Sequence, residues 1–486
     1  MNSIRKSLVF SMGEKYGVYG INLIGTVVLS RLLAPHDFGV FMVGASMSTL
    51  IDSLRDFGVG SYLVQEPEIT KQKVRSAFTI AMALSLLCAA GLLASAGPIA
   101  DFYNEPGLAR IMPFFAANFL LLPFSTPAMN LLRRELAFDA LAAINLVAAA
   151  ANVAIVAALA ELGFGYMSFA WAAFLSNLVR TAAALFYRPT FWAFAPAIVE
   201  WRTVASFGGY SSLTSLLNIF YSSLPQLILG RVLGFGAVGL YDRANKLCEL
   251  PDRFIGAALQ PVILPALAER VRNRGDLKGP YLRAITYMTA VQWPILVCLA
   301  LLADPVVRIL LGQQWAEVIP ILRIIALASL WMFAAFLSYP ALVAVGRVRD
   351  TFVSSIIALP PCILLTFAAS FYGLEAAAAT QFINLPLAVY IALRFIRRHI
   401  PFTWGEMLQA VRKSAVVALC TALGPIAMIA MAGFHFDLSI PAMALALTGS
   451  AIGWLAGLVI TDHPILLELR NTALFLRHHV IARIYT

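Results

Sequence analysis

GLYDRANKLCELPDR, residues Gly239–Arg253, is the stretch on which the reading of this chain turns. It lies inside a long apolar region, yet Asp242, Lys246, Glu249 and Arg253 recur at i, i+4, i+7 and i+11. That spacing puts four ionisable groups on one face of a helix. Charge at membrane depth is costly, so such groups face a water-filled cavity or the inside of a bundle. The stretch therefore predicts a helix lining a wet, charged interior, provided that the chain around it spans a bilayer.

Composition says that it does. The 486-residue chain is 60% hydrophobic and 12% charged, with a mean hydropathy of +0.82, whereas soluble domains carry about 25% charged residues. The chain reads as an all-α polytopic membrane protein. Its net charge of +10 sits in short loops between apolar spans, which points to membrane topology and away from nucleic acid. The cysteines Cys88, Cys248, Cys298, Cys362 and Cys420 lie in apolar stretches without CxxC spacing, as small buried hydrophobes do. Arg5 and Lys6 precede an apolar region that runs to about Leu33 with no clear cleavage site, so it reads as a retained first span and not a signal peptide.

At about 20 apolar residues per crossing, fourteen spans are expected: 8–32, 38–64, 77–101, 108–132, 138–161, 166–187, 204–231, 236–266, 281–303, 316–345, 350–372, 375–396, 411–433 and 438–460. With the N-terminus inside, most of the 35 Lys and Arg fall on the cytoplasmic side, while the opposite side receives Arg31, Arg110, Arg231 and Arg308. That bias predicts cytoplasmic placement of both termini. After the last span, Ile465, Leu466, Leu469, Ala473, Leu476 and Val480 form an apolar stripe beside Arg470, Arg477 and Arg483. Residues 462–486 are therefore expected to form a cytoplasmic amphipathic tail on the membrane surface, a partner-binding tail being the alternative.

An internal repeat organises the spans. SRLLAPHDFGVF (30–41) aligns without a gap on GRVLGFGAVGLY (230–241), so that Arg31 meets Arg231, Leu33 meets Leu233, Gly39 meets Gly239 and Phe41 meets Tyr241. Further on, Asp52 meets Asp252. Six spans per half is an even number, so both halves run the same way, related by a pseudo-twofold along the membrane normal. The expected architecture is an N-terminal six-helix lobe (1–200), a C-terminal six-helix lobe (201–400) and two additional transmembrane helices (401–461).

Three groups of residues are candidates for a binding cavity. Asp242–Lys246 and Glu249–Arg253 are either mutually neutralising i,i+4 pairs or cavity-lining groups; the two roles are compatible. The first span carries Lys15, Tyr19, Asn22, Thr26 and Ser30 on one face, with Glu14 adjacent. Its repeat mate carries Ser211, Ser215, Asn218 and Ser222. Such hydroxyls and amides suit sugar hydrogen bonding, although they also bond between membrane helices. The second span places Ser48, Asp52, Arg55 and Asp56 within two turns. Arg180 and Arg323 are single charges, read as snorkelling or paired. Arg far outnumbers Lys, and guanidinium binds phosphate oxygens bidentately, which favours an anionic cargo. No Gly-Lys dipeptide, HExxH or GxSxG occurs, so the sequence offers no Walker A loop, zinc-protease helix or nucleophile elbow, and no metal or cofactor is expected.

LLAPHDFGVF (32–41), FGVGSYLVQ (57–65) followed by TKQKVRSAF (70–78), and GLYDRANKLCELP (239–251) resemble the bacterial Wzx-type polysaccharide flippases. These belong to the polysaccharide transporter family of the multidrug/oligosaccharidyl-lipid/polysaccharide exporter superfamily. The resemblance covers the first twelve spans. It implies a secondary transporter, not an enzyme, with two six-helix lobes around a V-shaped cavity in the bacterial inner membrane. The implied cargo is an undecaprenyl-pyrophosphate-linked oligosaccharide, flipped from the cytoplasmic to the periplasmic leaflet by alternating access for exopolysaccharide or lipopolysaccharide synthesis. The implied partners are this lipid-linked substrate, membrane lipids, a polysaccharide polymerase and a chain-length regulator. On that reading Lys15, Arg55, Arg243, Lys246 and Arg253 screen the pyrophosphate or acidic sugars. Glu14, Asp52, Asp56, Asp242 and Glu249 balance charge and exchange a coupling ion, and Tyr19, Asn22, Thr26, Ser215, Asn218 and Ser222 bind sugar. Many relatives stop at twelve spans, so the last two depart from the commonest pattern and keep a lipid II-type cargo open, while a small-molecule antiporter of the same superfamily would share the fold. A membrane glycan polymerase would be expected to show a sizeable outer loop bearing Arg or His, and the outer loops here are short.

Overall fold

The computed structural model describes the backbone of residues 2–56, 68–197, 219–273 and 275–467, together with residues 63 and 216. Among these residues the chain is helical, with no strand. Helices α1 (Asn2–Leu32) and α2 (Pro35–Asp56) lead into α3 (Lys71–Tyr103), α4 (Pro106–Arg134), α5 (Phe138–Glu161) and α6 (Met167–Tyr187). Residues 219–232 form α7, followed by α8 (Phe235–Arg272) and α9 (Lys278–Leu301). Next, α10 starts as Val318–Ala328, tightens into a 3-10 segment at Ser329–Ala334 and resumes over Ala335–Ala344. Helices α11 (Val348–Ser370), α12 (Gln381–Ile396), α13 (Trp404–Met431) and α14 (Ile440–Ile460) complete the described chain.

Among the described residues nine helical segments, namely α3–α6, α9, α11, Leu374–Ile396 (which ends in α12), α13 and α14, are long and apolar enough to cross a membrane. The expected spans 8–32 and 236–266 fall on α1 and α8, and the expected span 38–64 falls on α2 as far as Asp56, while half of 204–231 lies outside the described residues. So does most of the expected amphipathic tail. The expected span 316–345 is interrupted, for a visible reason. The indole Nε1 of Trp293 donates to the Leu330 carbonyl at 2.8 Å, taking an acceptor that a continuous helix would keep for its own ladder.

Local chemistry sets the helix ends. Thr70 accepts from the Lys73 N–H at the start of α3, and Glu105 accepts from the Gly107 N–H at the start of α4. Thr403 and Glu406 form a reciprocal capping box on α13. Ahead of α9, Asp276 accepts from the N–H groups of Lys278 and Gly279, and these bonds hold its carboxyl below the usual carboxylate range.

The chain divides into two compact units. The first is Met1–Asp242 with Leu310–Trp315 and Thr366–Leu374; the second is Arg243–Ile309 with Ala316–Leu365 and Glu375–Thr486. Inside the first unit the two copies of the repeat motif meet. Helices α2 and α8 begin at Pro35 and Phe235, matching positions of the two copies. A Cβ on Gly39 would overlap the Phe235 carbonyl oxygen, and a Cβ on Gly239 would overlap that of Pro35. Each glycine thus lets the other copy's first turn approach, and the crossing is locally two-fold symmetric.

Beside this crossing, Trp315 is fully buried and packs edge-on against Phe38, with centroids 5.2 Å apart. Its Nε1 donates to the Ser30 carbonyl at 2.6 Å, and Gln314 Nε2 donates to the carbonyls of Ser30 and Leu33. These carbonyls at the end of α1 have no partner in their own helix, so two side chains cap them.

In the second unit, α14 docks on α13 through glycines spaced four residues apart. A Cβ on Gly453 would strike the Cys420 carbonyl, and one on Gly457 would press on Val417. Gly449 lies against Gly424. Small residues at this spacing let two membrane helices pack backbone to backbone. Buried polar groups fix the pair to α9. Thr289 donates to Ser414 Oγ at 2.8 Å, Ser414 Oγ lies 3.2 Å from His463 Nε2, and Trp454 donates to the Ala290 carbonyl at 2.8 Å.

Candidate functional site

The first unit holds a polar cavity of about 350 Å³ between α1, α5 and α6. Its lining includes Glu14, Lys15 and Tyr19 from α1, Asn145 from α5, and Asn177 and Arg180 from α6. Small residues create it. Gly17 and Gly25 lie against Leu146 and Val153, so α1 sits close on α5. Ala148 and Ala149 then leave space where larger side chains would fill it. Asn145 Nδ2 donates to Glu14 Oε1 at 2.6 Å, which orients that carboxylate. Deeper in the unit, Asn177 donates to Asn118 Oδ1 at 3.1 Å and Asn152 donates to Ser176 Oγ at 3.2 Å. Two cations, one carboxylate, two amides and a phenol thus converge on one space. Such a set can hold an anionic group by its guanidinium and ammonium and a sugar by its amides.

Of the residues expected from the sequence, Glu14, Lys15 and Tyr19 share this cavity. Asn22 and Thr26 fall lower on α1, where the Thr26 hydroxyl donates to the Asn22 carbonyl at 2.9 Å, a bond within the helix. Ser222 is exposed and likewise bonds its own helix through Ile219 O. Ser215, Asn218 and the side chain of Asp56 lie outside the described residues. Asn145 and Asn177 are cavity residues that the sequence reading did not single out, and Arg180, read there as a snorkelling or paired charge, lines the cavity with them. Their signal was present in the polar positions within apolar α5 and α6.

On α2, Arg55 Nε donates to Asp52 Oδ1 at 2.7 Å, with the guanidinium buried and the carboxylate half-exposed. The charged stripe of α8 changes character along its length. Asp242 and Arg243 are buried, Lys246 is half-buried, and Glu249 and Arg253 are about half exposed and paired at 2.8 Å. One expected i,i+4 pair is therefore formed. A neighbouring face of the same helix is packed: Asp252 accepts from Gln292 Nε2 at 2.5 Å, and Cys248 contacts the Leu322 carbonyl. Asp252, the repeat mate of Asp52, thus ties α8 to α9. Among the described residues no cluster of His, Cys, Asp and Glu is suited to hold a metal ion.

Residues 28–320 match the family described as "Polysaccharide biosynthesis protein". The chain belongs to this polysaccharide biosynthesis protein family. Among its curated relatives, the succinoglycan biosynthesis transport protein ExoT of Rhizobium meliloti (strain 1021) is 26% identical over 351 residues, 71% of this chain and 70% of the relative. The lipopolysaccharide biosynthesis protein WzxC of Escherichia coli (strain K12) is 24% identical over 64% of each chain. Among solved structures, an inward closed conformation of the lipid II flippase MurJ aligns with a TM-score of 0.71 at 11% identity, covering 96% of this chain and 98% of that one. An inward-facing multidrug resistance transporter of the MATE family aligns with a TM-score of 0.58 at 15% identity, covering 81% of this chain and 98% of that one. This member of the polysaccharide biosynthesis protein family is accordingly a Wzx-type multi-pass membrane protein with a transporter fold, as its motifs led us to expect.

Proposed function

We propose that the protein flips an undecaprenyl-pyrophosphate-linked oligosaccharide repeat unit from the cytoplasmic to the periplasmic leaflet of a bacterial inner membrane. The observation that carries this reading is the family match across residues 28–320, which includes both copies of the repeat motif. The polar cavity supports it, because Lys15 and Arg180 beside Asn145 and Asn177 supply both phosphate-binding and sugar-binding chemistry.

In this mechanism fourteen spans form two six-helix lobes related by a pseudo-twofold along the membrane normal, with α13 and α14 added and both termini cytoplasmic. The locally symmetric crossing of Gly39 and Gly239 is what such a relation would produce at its axis. Lys15, Arg55, Arg243, Lys246 and Arg253 screen the anionic cargo. Glu14, Asp52, Asp56, Asp242 and Glu249 balance those cations and take up a coupling ion. The stripe of α8 grows more exposed from Asp242 to Arg253, towards the end assigned to the cytoplasm, where cargo would load. Alternating access then carries the head group across while the lipid tail stays in the bilayer. A polymerase and a chain-length regulator would take the delivered unit.

A small-molecule antiporter shares the fold, as the MATE likeness illustrates, but the family match favours a saccharide cargo. Deleting the gene separates the two. Loss of surface polysaccharide with unchanged drug efflux is the expected result; retained polysaccharide with lost efflux would reverse the assignment.

A further inference from the structure

The second unit carries a basic pocket that the translocation reading does not use. It lies at the turn between α12 and α13, is lined by Arg394, Arg397, Arg398, Pro401, Phe402 and Thr403, and has a volume of about 450 Å³. The helical segments on either side, Leu374–Ile396 and α13, are both long and apolar enough to cross a membrane, so the turn joining them sits at the membrane–water boundary.

The three arginines are not equivalent. Arg397 is held in place, since its Nε donates to the Phe402 carbonyl at 2.9 Å and its guanidinium lies 4.8 Å from the Trp404 ring centroid. Trp404 in turn stacks on Tyr390, with centroids 5.5 Å apart and planes 14° from parallel. Amphipathic rings of this kind anchor at head-group level. Arg398 stacks over Phe395 at 4.4 Å, and Arg394 is exposed one turn earlier. Among the described residues none of the three meets a carboxylate at ion-pair distance. The acids nearby are engaged elsewhere: Glu406 with Lys278 at 2.5 Å and with Thr403, Asp350 with His399 at 2.7 Å.

Cations at the end of α12 also suit the helix dipole, and a plain row of interfacial arginines would need no ligand. Three features exceed that account: a concave pocket, one guanidinium fixed by a hydrogen bond and a ring, and two more left without an acidic partner. We propose that this pocket binds the phosphate of an anionic phospholipid head group, with the exposed Pro401 against the glycerol region. Guanidinium groups suit phosphate oxygens, and basic pockets at membrane-helix ends suit anionic lipid. The source is lipid and not free phosphate because the site opens at the boundary between two spanning helices. Lipid binding in this pocket does not depend on the identity of the cargo.

The test uses the purified full chain in detergent, with bound lipid counted by native mass spectrometry. Phosphatidylglycerol and phosphatidylcholine are titrated separately, and inorganic phosphate is added as a competitor. Each interfacial arginine contributes about fivefold in affinity, so Arg394→Gln with Arg398→Gln should weaken phosphatidylglycerol binding about thirtyfold. Arg397 is left intact in that variant so that the Phe402 and Trp404 contacts persist. The single variants, which disturb the fold least, should each lose about fivefold. Phosphatidylcholine binding should be weaker in the wild type and unchanged in the variants. Equal affinity of the wild type for both lipids, or unaltered phosphatidylglycerol binding in the single and double variants, would overturn the site. Displacement of phosphatidylglycerol by millimolar inorganic phosphate would overturn the lipid assignment.

Discussion

Gly39 and Gly239 each occupy the position where the other repeat copy's first helical turn passes: Gly39 lies against the Phe235 carbonyl and Gly239 against the Pro35 carbonyl. Neither contact has a flexible side chain to yield, because the opposing atoms are backbone. Overpacking of this type costs about 1–3 kcal/mol and more where nothing relaxes. Gly39→Ala and Gly239→Ala should therefore lower the melting temperature by similar amounts. The symmetry of the crossing makes the two losses comparable; an unchanged melting temperature in either variant would contradict the packing.

Trp315 closes the end of α1 by a hydrogen bond to the Ser30 carbonyl. Trp315→Phe keeps most of the ring but removes the donor, leaving a buried carbonyl with less to satisfy it, at about 1–3 kcal/mol. Trp315→Ala also opens a cavity and should cost about 3–5 kcal/mol. Denaturant midpoints of the purified variants check the order, with Ala below Phe below wild type.

Arg180 faces Lys15, Glu14 and two amides across one cavity. A charge-assisted bond to cargo is worth about 1.5–3 kcal/mol, so Arg180→Ala should reduce polysaccharide output by about tenfold or more at matched membrane abundance. Arg180→Lys should restore part of it, because charge survives while the bidentate fork does not. Output equal to wild type in the alanine variant would remove Arg180 from the site.

His463, just beyond α14, is buried against Ser414. Burial first, and then the charge of Lys413, hold its imidazole below the ordinary histidine range. The folded state thus favours the neutral ring. Its stabilising contribution is complete above the unfolded value of about 6.5 and is lost as pH falls from there through the lowered folded value. Wild type should accordingly lose more thermal stability between about pH 7.5 and pH 5 than His463→Gln does. Parallel acid losses in the two proteins would contradict this.

The membrane class and the helices were legible because a 20-residue apolar run has few other physical solutions. The repeat register was legible too, and α2 and α8 start at Pro35 and Phe235, equivalent positions of its two copies. The break in α10 was not, since it depends on a hydrogen bond from Trp293, distant in sequence from the segment it interrupts. Arg180 read as an isolated charge because its charged companions, Glu14 and Lys15, arrive from α1, and no local spacing encodes that meeting. The close packing of α14 on α13 was readable in principle from Gly449, Gly453 and Gly457, whose four-residue spacing is a known signature of membrane helix pairs.

Movement of a lipid-linked oligosaccharide across the bilayer is measured most directly as leaflet exposure in vesicles. Vesicles holding the purified chain and a fluorescent undecaprenyl-pyrophosphate oligosaccharide are challenged with a membrane-impermeant quencher. The inner-leaflet fraction, protected in protein-free vesicles, should become quenchable with the wild-type chain and do so more slowly with Lys246→Ala and Arg253→Ala combined. A protected fraction that stays the same with and without the wild-type chain would contradict it.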